Sequence, residues 1–275
     1  MKRLIRPFAA ICAALTLLSS CKKDAKEVVS DEVSADVLSQ IKSLGFSTEG
    51  VQKQNGRYLV EGDILLSPSD LASSPSSPNM VIANEEQYRT FNLVNPTKHP
   101  VIDVALNSSS AAHDAVFSAA LDETIARFTA EGLTIKFNRV SAGGDITVVA
   151  YYEASNVLGS AGFPTSTGDP YNQVRMNTYH YGTGTSTTNV NYIATIMAHE
   201  IGHCIGFRHT DYMNRAYSCG GRRSNEGQAT TGVGAVHITG TPTGGDPNSW
   251  MLACVGNGVN RPFNANDKIA LSYVY

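Results

Sequence analysis

The sequence is short of charge, of tryptophan and of long apolar runs. Charged residues make up 16% of the 275 positions, below the roughly 25% usual in soluble domains. The 24 acidic residues outnumber 21 basic ones, for a formal net charge of −3. Without a basic excess or a clustered basic stripe, nucleic acid is excluded as the natural partner. Beyond the N-terminus no apolar run approaches the roughly 20 residues that cross a bilayer, and no internal repeat suggests a solenoid. Five cysteines in 275 residues are too few for a disulfide scaffold. What is present is 42% hydrophobic, ordinary for a soluble globular protein of one large domain or two modest ones.

The first residues differ from the rest. Lys2, Arg3 and Arg6 form a basic region, Phe8 to Leu18 an apolar core too short to span as a mature helix, and Leu18-Ser19-Ser20-Cys21 follows. This resembles the signal peptide and lipobox of bacterial lipoproteins, which implies cleavage after residue 20 and a lipid on Cys21. The mature chain then carries 18 basic against 24 acidic residues, a formal charge of −6. Lys22 and Lys23 follow the cysteine rather than an inner-membrane retention aspartate, so the resemblance points to the outer membrane, facing periplasm or cell surface. Cys204, Cys219 and Cys254 remain, enough for one disulfide and one thiol in an oxidising compartment, with the pairing open.

The chemistry is concentrated in His199-Glu200-Ile201-Gly202-His203-Cys204-Ile205-Gly206-Phe207-Arg208-His209. His199 and His203, four apart, share one helix face and can close on a single zinc ion. Gly206 permits a positive φ and a sharp turn that brings His209 back as third ligand. Glu200 is placed to take a proton from water activated by the metal. Cys204 lies about 100° round the helix from His203, so it reads as buried or bridged rather than ligating. His99, His113, His180 and His237 have no partners at ligand spacing and read as surface or capping residues, with His180 the one most in need of a structural check.

Along the chain, residues 22–36 read as a tether and Val37 to Leu44 as a short helix stopped by Gly45. Arg57 to Leu66 offers two apolar runs about Gly62-Asp63, a hairpin signal. Residues 67–79, with three prolines and six serines, read as a linker. From Val101 a compact α/β pattern begins: a strand to Leu106, then a helix N-capped by Ser110 with an apolar stripe of Phe117, Leu121, Ile125 and Phe128 before Gly132. An alternating strand through Leu133, Ile135 and Phe137 follows, then strands at Ile146 to Tyr152 and Val174 to Thr178, separated by an irregular edge at Gly159 to Asp169. Val190 to Cys204 is the second long helix. Residues 210–262 read as an irregular subdomain, and Asn264 begins a last helix with Ile269, Leu271 and Tyr273 apolar.

A sheet-and-helix half ending in a zinc helix, a glycine turn to a third histidine and an irregular half closed by a helix resembles the metzincin metallopeptidases over residues 100 to 275. The wording His199-Glu200-Ile201-Gly202-His203 is similar to the HEIGH-type bacterial members. The resemblance implies an α+β fold: an upper twisted mixed sheet, a backing helix, a zinc-bearing helix, and a lower subdomain with a methionine turn, which Ser249-Trp250-Met251 fits. It implies a zinc endopeptidase for protein or peptide substrates, with His199, His203 and His209 as ligands, Glu200 as general base, and Met251 shaping the floor. The chain departs from other metzincins at Thr210-Asp211. Ala253 stands where astacins and serralysins have a tyrosine, so no tyrosine donor carries over. Val60-Glu61-Gly62-Asp63 is similar to the F-x-G-D element of astacin-like zymogens, with Val60 for phenylalanine, which implies that Asp63 latches the zinc. The latch stands beside the plain hairpin turn. The expected division is 1–20 signal, 21–98 lipidated tether and pro-segment, and 99–275 peptidase, with Gly159 to Pro164 a candidate rim for an extended substrate. Another zinc hydrolase remains an alternative, as does a non-catalytic, lipid-anchored binding protein with structural zinc; Glu200, superfluous in a structural site, discriminates against the last.

Overall fold

The computed structural model describes residues 32–44, 46–72, 87–108, 110–221, 232–242 and 245–275, all within one unit, Glu32–Tyr275. The signal peptide, Cys21, Gly45 and the linker beyond residue 72 lie outside the described residues. None of the described helices is long and apolar enough to cross a membrane.

The first described helix is α1 (Ala35–Ser43), which starts two residues before the expected Val37 because Ser34 caps it. Three short strands follow, β1 (Gln52–Gln54), β2 (Arg57–Val60) and β3 (Ile64–Leu66), antiparallel in the order β1-β2-β3. Val60 pairs Ile64 across a three-residue turn, so the hairpin is real and Glu61, Gly62 and Asp63 form its tip. Glu61 and Gly62 have φ of +55° and +91°, the left-handed backbone such a tip requires. The linker expected from residue 67 begins instead as α2 (Pro68–Ala72). Asp70 accepts from the Ser67 N–H at 2.7 Å and Leu71 is buried, so the first turn of the serine-rich stretch is capped and packed.

After β4 (Tyr88–Arg89), β5 (Val101–Asn107) starts the main sheet. The backing helix α3 (Asp114–Ala130) begins at His113, not Ser110. Ser110 Oγ instead meets His113 Nδ1 at 2.8 Å, and the His113 cap makes no side-chain bond to the helix. Phe117, Leu121 and Phe128 are buried, and Gly132 at φ +67° closes the end. Strands β6 (Lys136–Val140), β7 (Ile146–Tyr151), β8 (Gly159–Ser160) and β9 (Gln173–Asn177) complete a five-stranded sheet in the order β6-β5-β7-β9-β8. It is parallel except for β8, which runs antiparallel to β9 at the edge. The zinc-motif helix α4 (Thr187–Cys204) begins three residues before the expected Val190, because Ser186 caps it. Every residue from Tyr192 to Cys204 is buried: α4 is covered on all sides, between the sheet-and-α3 layer and the lower half.

That lower half holds β10 (Phe207–Arg208), the short α5 (Ala216–Cys219), β11 (Val236–His237) and α6 (Ala265–Val274). Its irregularity is as expected, and the Cys219–Cys254 disulfide spans it while Cys204 stays a buried thiol. Asn264 caps α6 in a reciprocal box with Asp267. The expected apolar face of α6 is wrong in part. Leu271 is buried, but Ile269 and Tyr273 are 44% and 53% exposed while Asp267 and Ala270 face inward; a 3.6-residue period groups 267, 270, 271 and 274, not 269 and 273. β4 pairs with both β10 and β11, and Gln87 Nε2 donates to Ser249 Oγ at 3.0 Å, so residues 87–98 are built into the lower half.

Candidate active site

The site is assembled on α4 and the turn that ends it. Gly206, at φ +108°, reverses the chain where a Cβ would lie 2.8 Å from Leu93 Cδ2 and 3.0 Å from Asn92 O, so both conformation and space require glycine. His209 is thereby returned against His199 and His203. Their ligating nitrogens and an Asp63 carboxylate oxygen lie within 4.8 Å of one another, all buried. The hairpin tip therefore lies in the same cluster as the three histidines.

Ring orientation follows from the outer hydrogen bonds. His199 Nδ1–H donates to Trp250 O at 3.0 Å and His203 Nδ1–H to Phe207 O at 2.8 Å. With the protons held there, both Nε2 atoms present lone pairs, and these face each other at 3.1 Å. Two such lone pairs repel unless a cation lies between them. Asp63 Oδ2 stands 3.0 Å from His209 Nε2 and 3.6 Å from His199 Nε2, and Asp63 Oδ1 has no hydrogen-bond partner. Three imidazoles and one carboxylate, with ligand atoms close to the roughly 3.3 Å edge of a tetrahedral zinc site, fit zinc.

The charges agree with that donor set. Burial alone would raise Asp63, but the charge of His209 and the closeness of the His199 and His209 rings outweigh it and hold the carboxyl well below its ordinary value. Burial lowers His203, reinforced by His199 and His209. Glu200 moves the other way: burial first, then the Asp63 charge, push it well up. Its Oε2 is buried without a partner, and Gly159 of the edge strand lies so close that a Cβ there would sit 2.8 Å from Glu200 Oε1. The acid beside the histidines thus faces the sheet edge.

That edge is occupied. Leu65 N–H donates to Ala161 O at 2.7 Å and Ala161 N–H to Asp63 O at 2.9 Å, so β3 adds as a strand along the stretch expected to guide an extended chain. A buried ion pair fixes the tip: Glu61 Oε2 accepts from Arg208 Nη2 at 3.3 Å with both side chains fully buried, and Arg208 lies 4.4 Å from the centre of the Phe46 ring. Arg215 donates to Glu61 O. Phe46, Val60, Ile64 and Leu66 pack with Phe163 and Val233 of the body.

Beneath the histidines, Ser249-Trp250-Met251 forms the expected turn, with Thr210 N–H donating to Met251 O at 2.8 Å. The glycine inside the helix motif has its reason here: a Cβ on Gly202 would lie 2.6 Å from Trp250 Cη2 and 2.7 Å from Met251 Sδ. His180 Nε2 meets Ser155 O at 2.8 Å, His99 Nε2 meets Asp169 at 2.9 Å, and His113 and His237 bond Tyr181 O and Thr241; none of the four joins the cluster. Sequence reading missed Arg208, Arg215, Glu61 and Gly202. Only the last left a signal, since glycine inside a helix costs about 1 kcal/mol and asks for a reason.

The profile of the dual-action HEIGH metallo-peptidases matches residues 59–275. The chain belongs to that family. It is a zinc metallopeptidase, a hydrolase acting on protein or peptide substrates, and the binding-protein alternative falls away. Among curated proteins none matches the chain. The solved structure of myroilysin is similar over 66% of this chain and 97% of that one, at 19% identity and a TM-score of 0.40. The matched region starts inside the hairpin, so the family pattern spans Asp63 as well as the helix motif of this HEIGH peptidase.

Proposed function

We propose that the protein is a lipid-anchored, secreted zinc endopeptidase made as a zymogen, in which Asp63 holds the catalytic centre shut. The observation that carries this reading is the Asp63 carboxylate among His199, His203 and His209, delivered by a hairpin that also fills the sheet edge. In the latched state His199, His203, His209 and Asp63 would hold the metal; in the active state the three histidines hold it alone. Zinc bound there supplies Lewis acidity toward a carbonyl oxygen and toward water.

The remaining steps belong to the chain. Withdrawal of β3 bares Ala161 N–H and C=O, which align an extended substrate by the same two hydrogen bonds. Glu200, beside Gly159 on that edge, takes a proton from the attacking water and gives it to the leaving amine. With Asp63 gone, the second of the two influences that raise Glu200 goes too, which leaves more of it ionised and free to accept a proton. Met251 and Trp250 hold the rings from below.

The lipobox supports an anchor on Cys21 and an outer-membrane location facing periplasm or cell surface. The serine- and proline-rich residues between α2 and β4 support a processing site there, with residues 21–72 as tether and pro-segment. Replacing Asp63 by alanine should raise the activity of the uncleaved chain at least tenfold, since a carboxylate ligand is exchanged for an open position. Unchanged peptide hydrolysis in Asp63→Ala, with zinc content intact, removes the latch.

A further inference from the structure

Beside the histidine cluster lies a cavity of about 270 Å³ that Glu200 and His199 help to line. At ~30 Å³ per water it has room for about nine waters, ample for one side chain. Leu158, Ile196 and Leu252 give it apolar walls, and the hairpin tip contributes Gly62 and Asp63. The outlier in this lining is Arg261. Its backbone N–H is bonded to Thr195 Oγ1 at 2.9 Å, which fixes the residue against α4. Of its five guanidinium donors, one nitrogen reaches Cys254 O at 3.3 Å. Among the described residues no carboxylate forms an ion pair with it.

The three aspartates whose charge it feels, Asp267, Asp211 and Asp246, are each committed elsewhere. Asp211 accepts from Ser218 and the Ala253 N–H. Asp246 accepts from the side-chain amides of Asn264 and Asn266. Asp267 accepts from Gln87, Ser249 and Trp250. Arginine keeps its charge even when burial pulls its pKa down. A half-buried cation without a carboxylate partner therefore borders the cavity next to the centre where a peptide bond is cut. Arg215 lines the same cavity on the hairpin side and adds a second positive charge.

We infer that Arg261 recognises the carboxylate of an aspartate or glutamate adjacent to the scissile bond, so that the enzyme cuts beside acidic residues. The apolar walls take the methylenes of such a side chain, and the planar guanidinium accepts its carboxylate through paired N–H donors. Lysine or arginine at that place meets like charge and is rejected. This inference rests on the proposed catalytic centre, and its test separates the two.

The cavity is formed with the pro-segment in place, so binding can be read without catalysis. The full-length Glu200→Gln chain is titrated calorimetrically with N-acetylglutamate amide and with its neutral counterpart, N-acetylglutamine amide. The carboxylate should bind about tenfold tighter or more. Arg261→Gln should abolish the difference, and Arg261→Lys should restore part of it, with Trp250 emission confirming that both variants are folded. Equal binding of the two compounds, or a preference that survives Arg261→Gln, overturns the assignment. In the Asp63→Ala chain, matched peptides should be cut faster beside Asp and Glu than beside Asn and Gln by a similar factor. Cleavage without that preference also overturns it. Carboxylate-selective binding without cleavage by any variant keeps the carboxylate site and removes the catalytic centre instead.

Discussion

At the scale of single residues the centre is built from groups that oppose one another until a cation joins them. Two imidazole lone pairs 3.1 Å apart and a buried carboxylate are each unfavourable alone, and each is of a kind that zinc binds. Glu200 lies outside this set, which predicts a clean separation: Glu200→Ala should retain one zinc per chain by elemental analysis and lose at least 10²-fold in turnover. Hydrolysis at wild-type rate would remove it as the base. Gly202 serves the same centre without touching the metal. In Gly202→Ala the new methyl meets Trp250 and Met251 below 3 Å, so overpacking should cost about 1–3 kcal/mol and weaken zinc retention, read from thermal melts and a chelator competition. At this scale the sequence was highly legible for the histidines and Glu200, because metal ligation by residues four apart is a local geometric demand. It was silent on Arg261 and Arg208, whose meaning comes from a cavity and an ion pair made by distant segments.

At the scale of elements, ends and turns carry the constraint. The cap of α6 is also the floor of the site: Asp267 binds the Asn264 N–H at 2.9 Å and the Trp250 N–H at 3.2 Å. Burial pushes Asp267 up to about 7 from its ordinary 3.8, against four hydrogen bonds that pull it down. A carboxyl whose folded pKa exceeds the unfolded one stabilises fully below about pH 4, and that contribution is lost as pH rises through 7. Urea melts followed by Trp250, the sole tryptophan, should therefore show a fall in stability between about pH 4 and 7 that is smaller in Asp267→Asn. That variant should also lose about 2 kcal/mol or more at either pH, since an amide cannot accept from four donors. The Cys219–Cys254 bond closes a loop of 35 residues. Replacing both by serine should cost about 3–4 kcal/mol through the freed unfolded chain, visible as a lower melting temperature.

At the scale of the whole molecule, residues 46–66 form a small three-stranded sheet that docks on the peptidase edge through β3. Edge hydrogen bonds, the Glu61–Arg208 pair and a small apolar cluster hold them to the body. Cutting the chain between α2 and β4 should therefore leave the segment bound at first. Size-exclusion chromatography after limited proteolysis should show the fragment co-eluting, with activity appearing on dilution; immediate full activity would mean the noncovalent hold is weak. Glu61→Ala, which removes the tip carboxylate that accepts from Arg208, should speed that release and lower the melting temperature of the uncut chain.

The sequence alone determined the helix motif, its metal, the glycine turn to His209 and the alternating and 3.6-residue patterns of the sheet-and-helix half. Each is a short-range matter of spacing and backbone freedom, readable within about ten residues. It left the cysteine pairing open, started α4 three residues late and misplaced part of the apolar face of α6. Those depended on caps and partners far along the chain. Tertiary structure alone decided that the turn carrying Asp63 enters the histidine cluster, and that Arg261 faces the adjoining cavity. Both are meetings of side chains more than 50 residues from the zinc motif, and burial and charge, rather than local spacing, bring them together.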